Sequence, residues 1–200
     1  MRMIRLDDVV LAKGRAGVDL PKIVVVSGSP TVPSKTEVLA DMVAARLQSA
    51  GAAVTRLRLR DLPAQALVDM ALDNHALAAA IAAVREADAI VIATPTYKAS
   101  FSGLLKLFLD ALPQFGFADK VVLPLATGGT LAHVLALDYG LRPVLQSMGA
   151  RWVVPSYFVT SDAFLTEDGE IALAPKFQDG LDMAVSAFQC AIEVPAAAAA

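Results

Sequence analysis

Ile23-Val24-Val25-Val26-Ser27-Gly28-Ser29-Pro30-Thr31-Val32-Pro33-Ser34-Lys35-Thr36 reads as a buried strand that turns into a helix. The four β-branched residues have the composition of a parallel strand covered on both faces, and the Gly, Pro and Ser residues after them break it. A helical pattern begins near Ser34. A helix N-terminus carries unpaired N–H groups and about half a positive charge, so this turn is a place for a phosphate. Gly28 permits the tight turn, and Ser29, Ser34 and Thr36 add hydroxyl donors. The spacing fits neither G-x-G-x-x-G nor G-x-x-x-x-G-K-[ST], which disfavours the dinucleotide fingerprint and the triphosphate loop. Ser34-Lys35-Thr36-Glu37 is also a capping box that would satisfy the helix end with no ligand, and Glu37 would repel a phosphate if it faced inward.

Around that turn lie 200 residues, 56% hydrophobic, with a formal net charge of −3, which describes one soluble domain with a substantial core. Without a Lys/Arg cluster there is no electrostatic footprint for nucleic acid or for an anionic membrane. The single cysteine, Cys190, cannot close an internal disulfide, and no Cys/His grouping has metal-ligand spacing. Both features fit a reducing cytoplasm, with Cys190 expected as a buried structural thiol. Residues 1–20 mix Arg2, Arg5, Lys13 and Arg15 with Asp7 and Asp8 and lack a signal-peptide core, so they read as an N-terminal extension. The domain spans 21–192, and 193–200 reads as a tail.

Strand and helix alternate from there, the pattern of a parallel sheet covered on both faces. A helix is expected over 34–50, stopped by Gly51, then a strand over 54–59 whose polar row places it near a sheet edge. Asp73-Asn74 caps a helix over 75–86, with His75 in its exposed first turn, and Ala89 to Ala93 is a central strand. Thr94-Pro95-Thr96-Tyr97-Lys98 follows, with Ser102 capping a helix to Leu112. That helix is apolar on most sides, which predicts a homo-oligomer, a dimer or tetramer, built on it. Lys120 to Ala126 is a strand ending in Thr127-Gly128-Gly129-Thr130, where main chain could approach a planar ligand closely. The next helix holds His133, read as a capped or core histidine, and Gly140 and Pro143 predict a bulge or kink near Tyr139. A fifth strand over 152–159, a polar excursion with an Asp168-Gly169 turn, and a helix over 177–192 complete the chain. Loops after successive parallel strands converge on one crevice outside their carboxyl ends, which brings Tyr97 and the two glycines toward the phosphate turn.

Ser27 to Thr36, Pro95-Thr96-Tyr97-Lys98 with Ser102-Gly103, and Leu125 to Thr130 together resemble the NAD(P)H-dependent FMN reductases, and most closely the reductase components of alkanesulfonate and methanesulfonate monooxygenase systems. The resemblance runs from about Ile23 to Ile192. It implies a flavodoxin-like three-layer α/β/α sandwich with a five-stranded parallel sheet in the order 2-1-3-4-5. It implies FMN as cofactor and NADPH or NADH as reductant, with hydride passing from nicotinamide to flavin and reduced FMN supplied to a flavin-dependent monooxygenase. Ser29, Ser34, Lys35 and Thr36 would then hold the phosphate, while Pro95, Thr96, Tyr97, Lys98, Thr127, Gly128 and Gly129 would border the isoalloxazine. Tyr139 matches a tyrosine that those relatives insert into a helix as a π-bulge at a subunit interface, associated with flavin exchange. Such chemistry needs no protein acid or base and no metal, in keeping with the absence of any Ser/His/Asp, Cys/His or paired-carboxylate arrangement. The alternatives are an FMN-containing quinone or azo-compound reductase and, outside enzymes, a flavodoxin-like electron carrier.

Overall fold

The structure is a computed structural model that describes residues 20–167 and 169–193. The expected N-terminal extension (its first 19 residues) and all but the first residue of the expected tail lie outside the described residues, so the domain boundaries drawn from the sequence stay expectations.

The main sheet holds β1 (Lys22–Ser27), β2 (Ala53–Arg58), β3 (Ala89–Tyr97), β5 (Val121–Gly128), β6 (Trp152–Val153) and β7 (Tyr157–Thr160), all parallel. Their order across the sheet is β2-β1-β3-β5, with β6 and β7 both pairing with β5. This is the expected order 2-1-3-4-5 with its fifth position divided, because Val154-Pro155-Ser156 interrupts the strand and proline cannot donate to the ladder. Register sets Ile23 between Val54 and Ala89, and Ala89 beside Val121. β1, β3 and β5 are buried along almost their whole length, as their apolar runs require, whereas the polar β2 occupies the edge.

The pleat divides the core into two layers. Ile23, Val25, Val91, Leu123 and Leu125 face α1 (Lys35–Ser49) and α6 (Gln178–Glu193), while Val24, Val26, Ile90, Ile92 and Val122 face the other side. That second face is covered by α2 (Ala64–Val68), α3 (His75–Glu86), α4 (Gly103–Ala111) and α5 (Arg142–Ser147). Ser34, Asn74 and Ser102 cap α1, α3 and α4 by accepting from first-turn N–H groups.

Four features depart from the sequence reading. Strand β3 extends to Tyr97 because β4 (Ser100–Phe101) folds back on it antiparallel, through Lys98 and Ala99 at φ of 50° and 60°. The polar excursion is itself an antiparallel hairpin, β8 (Phe164–Glu167) with β9 (Glu170–Leu173). Helix α4 buries Leu105, Phe108 and Leu109 within the chain, because α2 and the turn Leu59–Asp61 pack on its far side and leave Leu107 exposed. Most of the apolar circumference of α4 is thus covered within the chain. Cys190, expected to be buried, is exposed, since the inward stripe of α6 is Leu181, Val185 and Phe188 and Cys190 lies roughly 200° around the helix from Phe188.

No described helix is long and apolar enough to cross a membrane, and no group of metal-ligating side chains occurs among the described residues.

Candidate functional site

The carboxyl ends of β1, β3, β5 and β7 open into a cleft of about 640 Å³. Its lining includes Ser29, Ser34, Lys35 and Thr36 from the first turn, Pro95, Thr96 and Tyr97 from the end of β3, and Thr127, Gly128 and Gly129 from the end of β5. Ten of the eleven site residues expected from the sequence therefore meet in one place. Lys98 does not line it, because the β3–β4 turn carries that residue to an exposed tip.

The three turns are knitted together by buried hydroxyls. Ser102 Oγ donates to the carbonyl of Gly28 at 2.6 Å while accepting from Leu105 N, and Thr94 Oγ1 accepts from Ser102 N at 3.0 Å. Gly28 N donates to Ala93 O at 2.8 Å. Thr36 Oγ1 and Thr127 Oγ1 are 2.6 Å apart, so the two buried hydroxyls share a hydrogen bond, and the backbone N–H of Thr36 is left for a ligand. Among the described residues the N–H groups of Lys35 and Thr36 have no backbone or side-chain acceptor. That pair of donors at the positive end of α1, beside the Ser29 and Thr31 hydroxyls, suits a dianionic group.

Glu37 forms only half of the expected capping box. Its N–H donates to Ser34 Oγ at 3.2 Å, but its carboxylate turns away to pair with Arg58 and Arg60 instead of reaching back to the helix end. The repulsion expected of an inward-facing carboxylate is thereby removed. The Arg60 guanidinium is held above its usual range, first by its hydrogen bond to Glu37.

Glycine at two positions of the rim is a matter of space. A Cβ at Gly28 would stand 2.9 Å from Leu105 Cβ, and one at Gly128 would stand 2.7 Å from the Phe158 ring. A Cβ at Gly129 would meet nothing within 4 Å, so that glycine leaves open volume at the edge of the cleft.

The sequence reading missed the far wall. Ser161, Thr166, Gly169 and Ile171, all in or beside the β8–β9 hairpin, line the same cleft, and Lys35 Nζ donates to the carbonyl of Ser161 at 2.8 Å. Asp168-Gly169 signalled a turn, but nothing local in that signal says where the hairpin lands. Thr31 and Pro33 also line the cleft and lie inside the stretch that the sequence singled out.

Away from the cleft, Leu137–Leu141 form a π-helical turn between the turn Leu131–His133 and α5, with Tyr139 79% exposed at its centre. The bulge anticipated from Gly140 and Pro143 is therefore present. Arg142 braces it, with Nε donating to Asp138 Oδ1 at 3.0 Å, Nη1 to Val153 O and Nη2 to Val154 O. His133 is partly buried beside this turn, and His75 is exposed at the start of α3.

Residues 21–165 match the family model of the NADPH-dependent FMN reductases. The chain is 39% identical over 152 residues to an FMN reductase (NADPH) of Pseudomonas putida strain KT2440, covering 76% of this chain and 74% of that protein. The crystal structure of an apo NADH:FMN oxidoreductase is 42% identical and superposes with a TM-score of 0.78, over 88% of this chain and 92% of the other. A Streptococcus pneumoniae flavodoxin, 19% identical, shares the fold with a TM-score of 0.58 over 86% of this chain and 99% of that one.

Proposed function

Because the chain belongs to the NADPH-dependent FMN reductase family and has a flavodoxin-like fold, we propose that the cleft beside α1 is where this NAD(P)H:FMN oxidoreductase holds its flavin. The observation that carries this reading is the meeting of a hydroxyl-rich helix N-terminus and a Gly128-Gly129 edge across one cleft of about 640 Å³. The free N–H groups of Lys35 and Thr36, with the Ser29 hydroxyl and the Lys35 ammonium, take the phosphate. Ser34 contributes chiefly by capping the helix, since its Oγ already accepts from Glu37 N. Gly128 and Gly129 let the ring edge approach the main chain, and Pro95, Thr96 and Tyr97 form the wall against which an aromatic ligand packs.

FMN, when bound, supplies the electron chemistry by accepting hydride from the nicotinamide of NADPH or NADH. The protein aligns the two rings and offers backbone N–H groups to the flavin's polar edge, which requires no proton-transferring side chain. Among the described residues, those lining the cleft supply hydroxyls, glycines and one amine.

The reduced flavin is handed to a flavin-dependent monooxygenase, and by resemblance to the sulfonate-type reductases that partner acts in sulfonate desulfonation. The support within this chain is the π-helical turn with Tyr139 at its exposed centre. Leu131, Val134 and Leu135 are exposed on the approach to the same turn, which supports a homo-oligomer that pairs through this surface.

The test is anaerobic titration of the protein with NADPH or NADH, with and without free FMN, followed by gel filtration. Turnover that rises with added FMN, and flavin that leaves the protein on reduction, support a supplier of reduced flavin. Flavin that stays bound and turns over only with a quinone or azo compound identifies a reductase of those substrates instead.

A further inference from the structure

The loop between β1 and α1 is exposed over residues 30–33, although its neighbours Gly28 and Ser29 are buried. Its internal support is thin, because Ser29 Oγ meets Thr31 Oγ1 at 3.3 Å and Thr31 N at 3.4 Å, both long for hydrogen bonds. A further tie comes from outside the loop. Arg60, just past the end of β2, donates through Nη1 to the carbonyl of Thr31 at 3.2 Å, and the same nitrogen is 2.5 Å from Glu37 Oε2. Arg58 pairs with the other Glu37 oxygen. The Glu37 side chain is only 14% exposed and the Arg60 side chain 18%, so the ion pair that anchors Arg60 lies against the protein, while the Arg60–Thr31 bond itself is exposed.

We propose that Arg60, anchored by Glu37, is a positioning residue that holds the Thr31 segment in the shape that receives a phosphate, and so makes this enzyme prefer FMN to unphosphorylated riboflavin. The inference rests on the reading that the phosphate sits at the start of α1. A planar guanidinium can serve a carboxylate and a carbonyl at once, which a lysine ammonium does with less directional control. Tying the loop in the free protein removes part of the ordering cost that binding would otherwise meet. Glu37 neutralises the guanidinium it anchors, so the effect is one of shape more than of long-range attraction.

The experiment measures Kd for FMN and for riboflavin by flavin fluorescence quenching on the full chain, for the wild type, Arg60→Gln and Arg60→Lys, with thermal melts alongside. The wild type should bind FMN more tightly than riboflavin. Arg60→Gln should weaken FMN about tenfold, the scale of one lost hydrogen bond to a charged group, and leave riboflavin within about twofold. Arg60→Lys should fall between. The loss should persist between about 0.05 and 0.5 M salt, where a long-range charge effect would fade. An unchanged Kd for FMN, or equal weakening of both flavins, overturns the proposal. A wild type that binds both flavins equally overturns the phosphate reading beneath it. Should Arg60→Gln not fold, Glu37→Gln must give the same FMN-selective loss, and a gain in FMN affinity there would show Glu37 acting only as a repelling charge, which also overturns the brace.

Discussion

Thr36 Oγ1 lies 2.6 Å from Thr127 Oγ1, joining the first turn of α1 to the carboxyl end of β5 through two buried hydroxyls 91 residues apart in sequence. Each hydroxyl depends on the other, so Thr36→Val leaves Thr127 without a partner and should cost about 1–3 kcal/mol. The double change with Thr127→Val should recover part of that loss, because both buried polar atoms are then gone. Urea denaturation of the four members of this cycle measures it; additive losses would mean that the contact contributes nothing of its own.

Gly28 and Gly129 should respond oppositely to alanine. Gly28→Ala drives a Cβ to 2.9 Å from Leu105 Cβ, part of a packed helix that cannot simply swing away, and should destabilise the fold by about 1–3 kcal/mol. Gly129→Ala has open space around its Cβ, should leave the melting temperature within about 2 °C, and should weaken FMN binding by occupying the edge of the cleft. Melting curves and FMN titrations of the two variants separate the effects.

Tyr157 donates its hydroxyl to the carbonyl of Phe177 at 2.7 Å, linking β7 to the entry of α6. Burial raises its pKa above the ordinary phenol value of 10.0. The folded state therefore holds this proton more tightly than the unfolded chain. The stability so gained is complete below about pH 10 and is lost as pH climbs through the folded value. Tyr157→Phe should cost about 1 kcal/mol at pH 7, and the gap between variant and wild type should narrow as pH rises past about 10. Unfolding curves across that range check both the offset and its disappearance.

Tyr139 is 79% exposed within the π-helical turn, so Tyr139→Ala should leave the stability of a single chain within about 0.5 kcal/mol. If this turn is the oligomer surface and governs flavin exchange, the variant should shift toward smaller species in light scattering and retain FMN longer on gel filtration. Unchanged mass and unchanged retention together would remove Tyr139 from both roles.

Much of this was legible in the chain itself, for local reasons. Runs such as Ile23 to Val26 and Ala89 to Ala93 can only be satisfied between two helical layers, and Ser34, Asn74 and Ser102 announce their helices by cap chemistry that needs only a few neighbouring residues. The polar row of β2 gave its edge position, and Gly140 with Pro143 gave the bulge. What escaped depends on residues distant in sequence. Glu37 looked like a capping-box partner because Arg58 and Arg60 arrive only when β2 is laid beside β1. The β8–β9 hairpin became a wall of the cleft through its docking near Lys35, which no turn signal encodes. Helix α4 looked over-apolar because α2, too short to stand out in the sequence, covers its second side.

The central claim is that flavin lies in the cleft with its phosphate on the first turn of α1, and a crystal structure of the protein soaked with FMN tests it most directly. The account predicts phosphate density within hydrogen-bonding distance of the N–H groups of Lys35 and Thr36, with the ring along Gly128 and Gly129. FMN bound elsewhere, or bound here with its ring at α1 and its phosphate directed toward Tyr97, would contradict it.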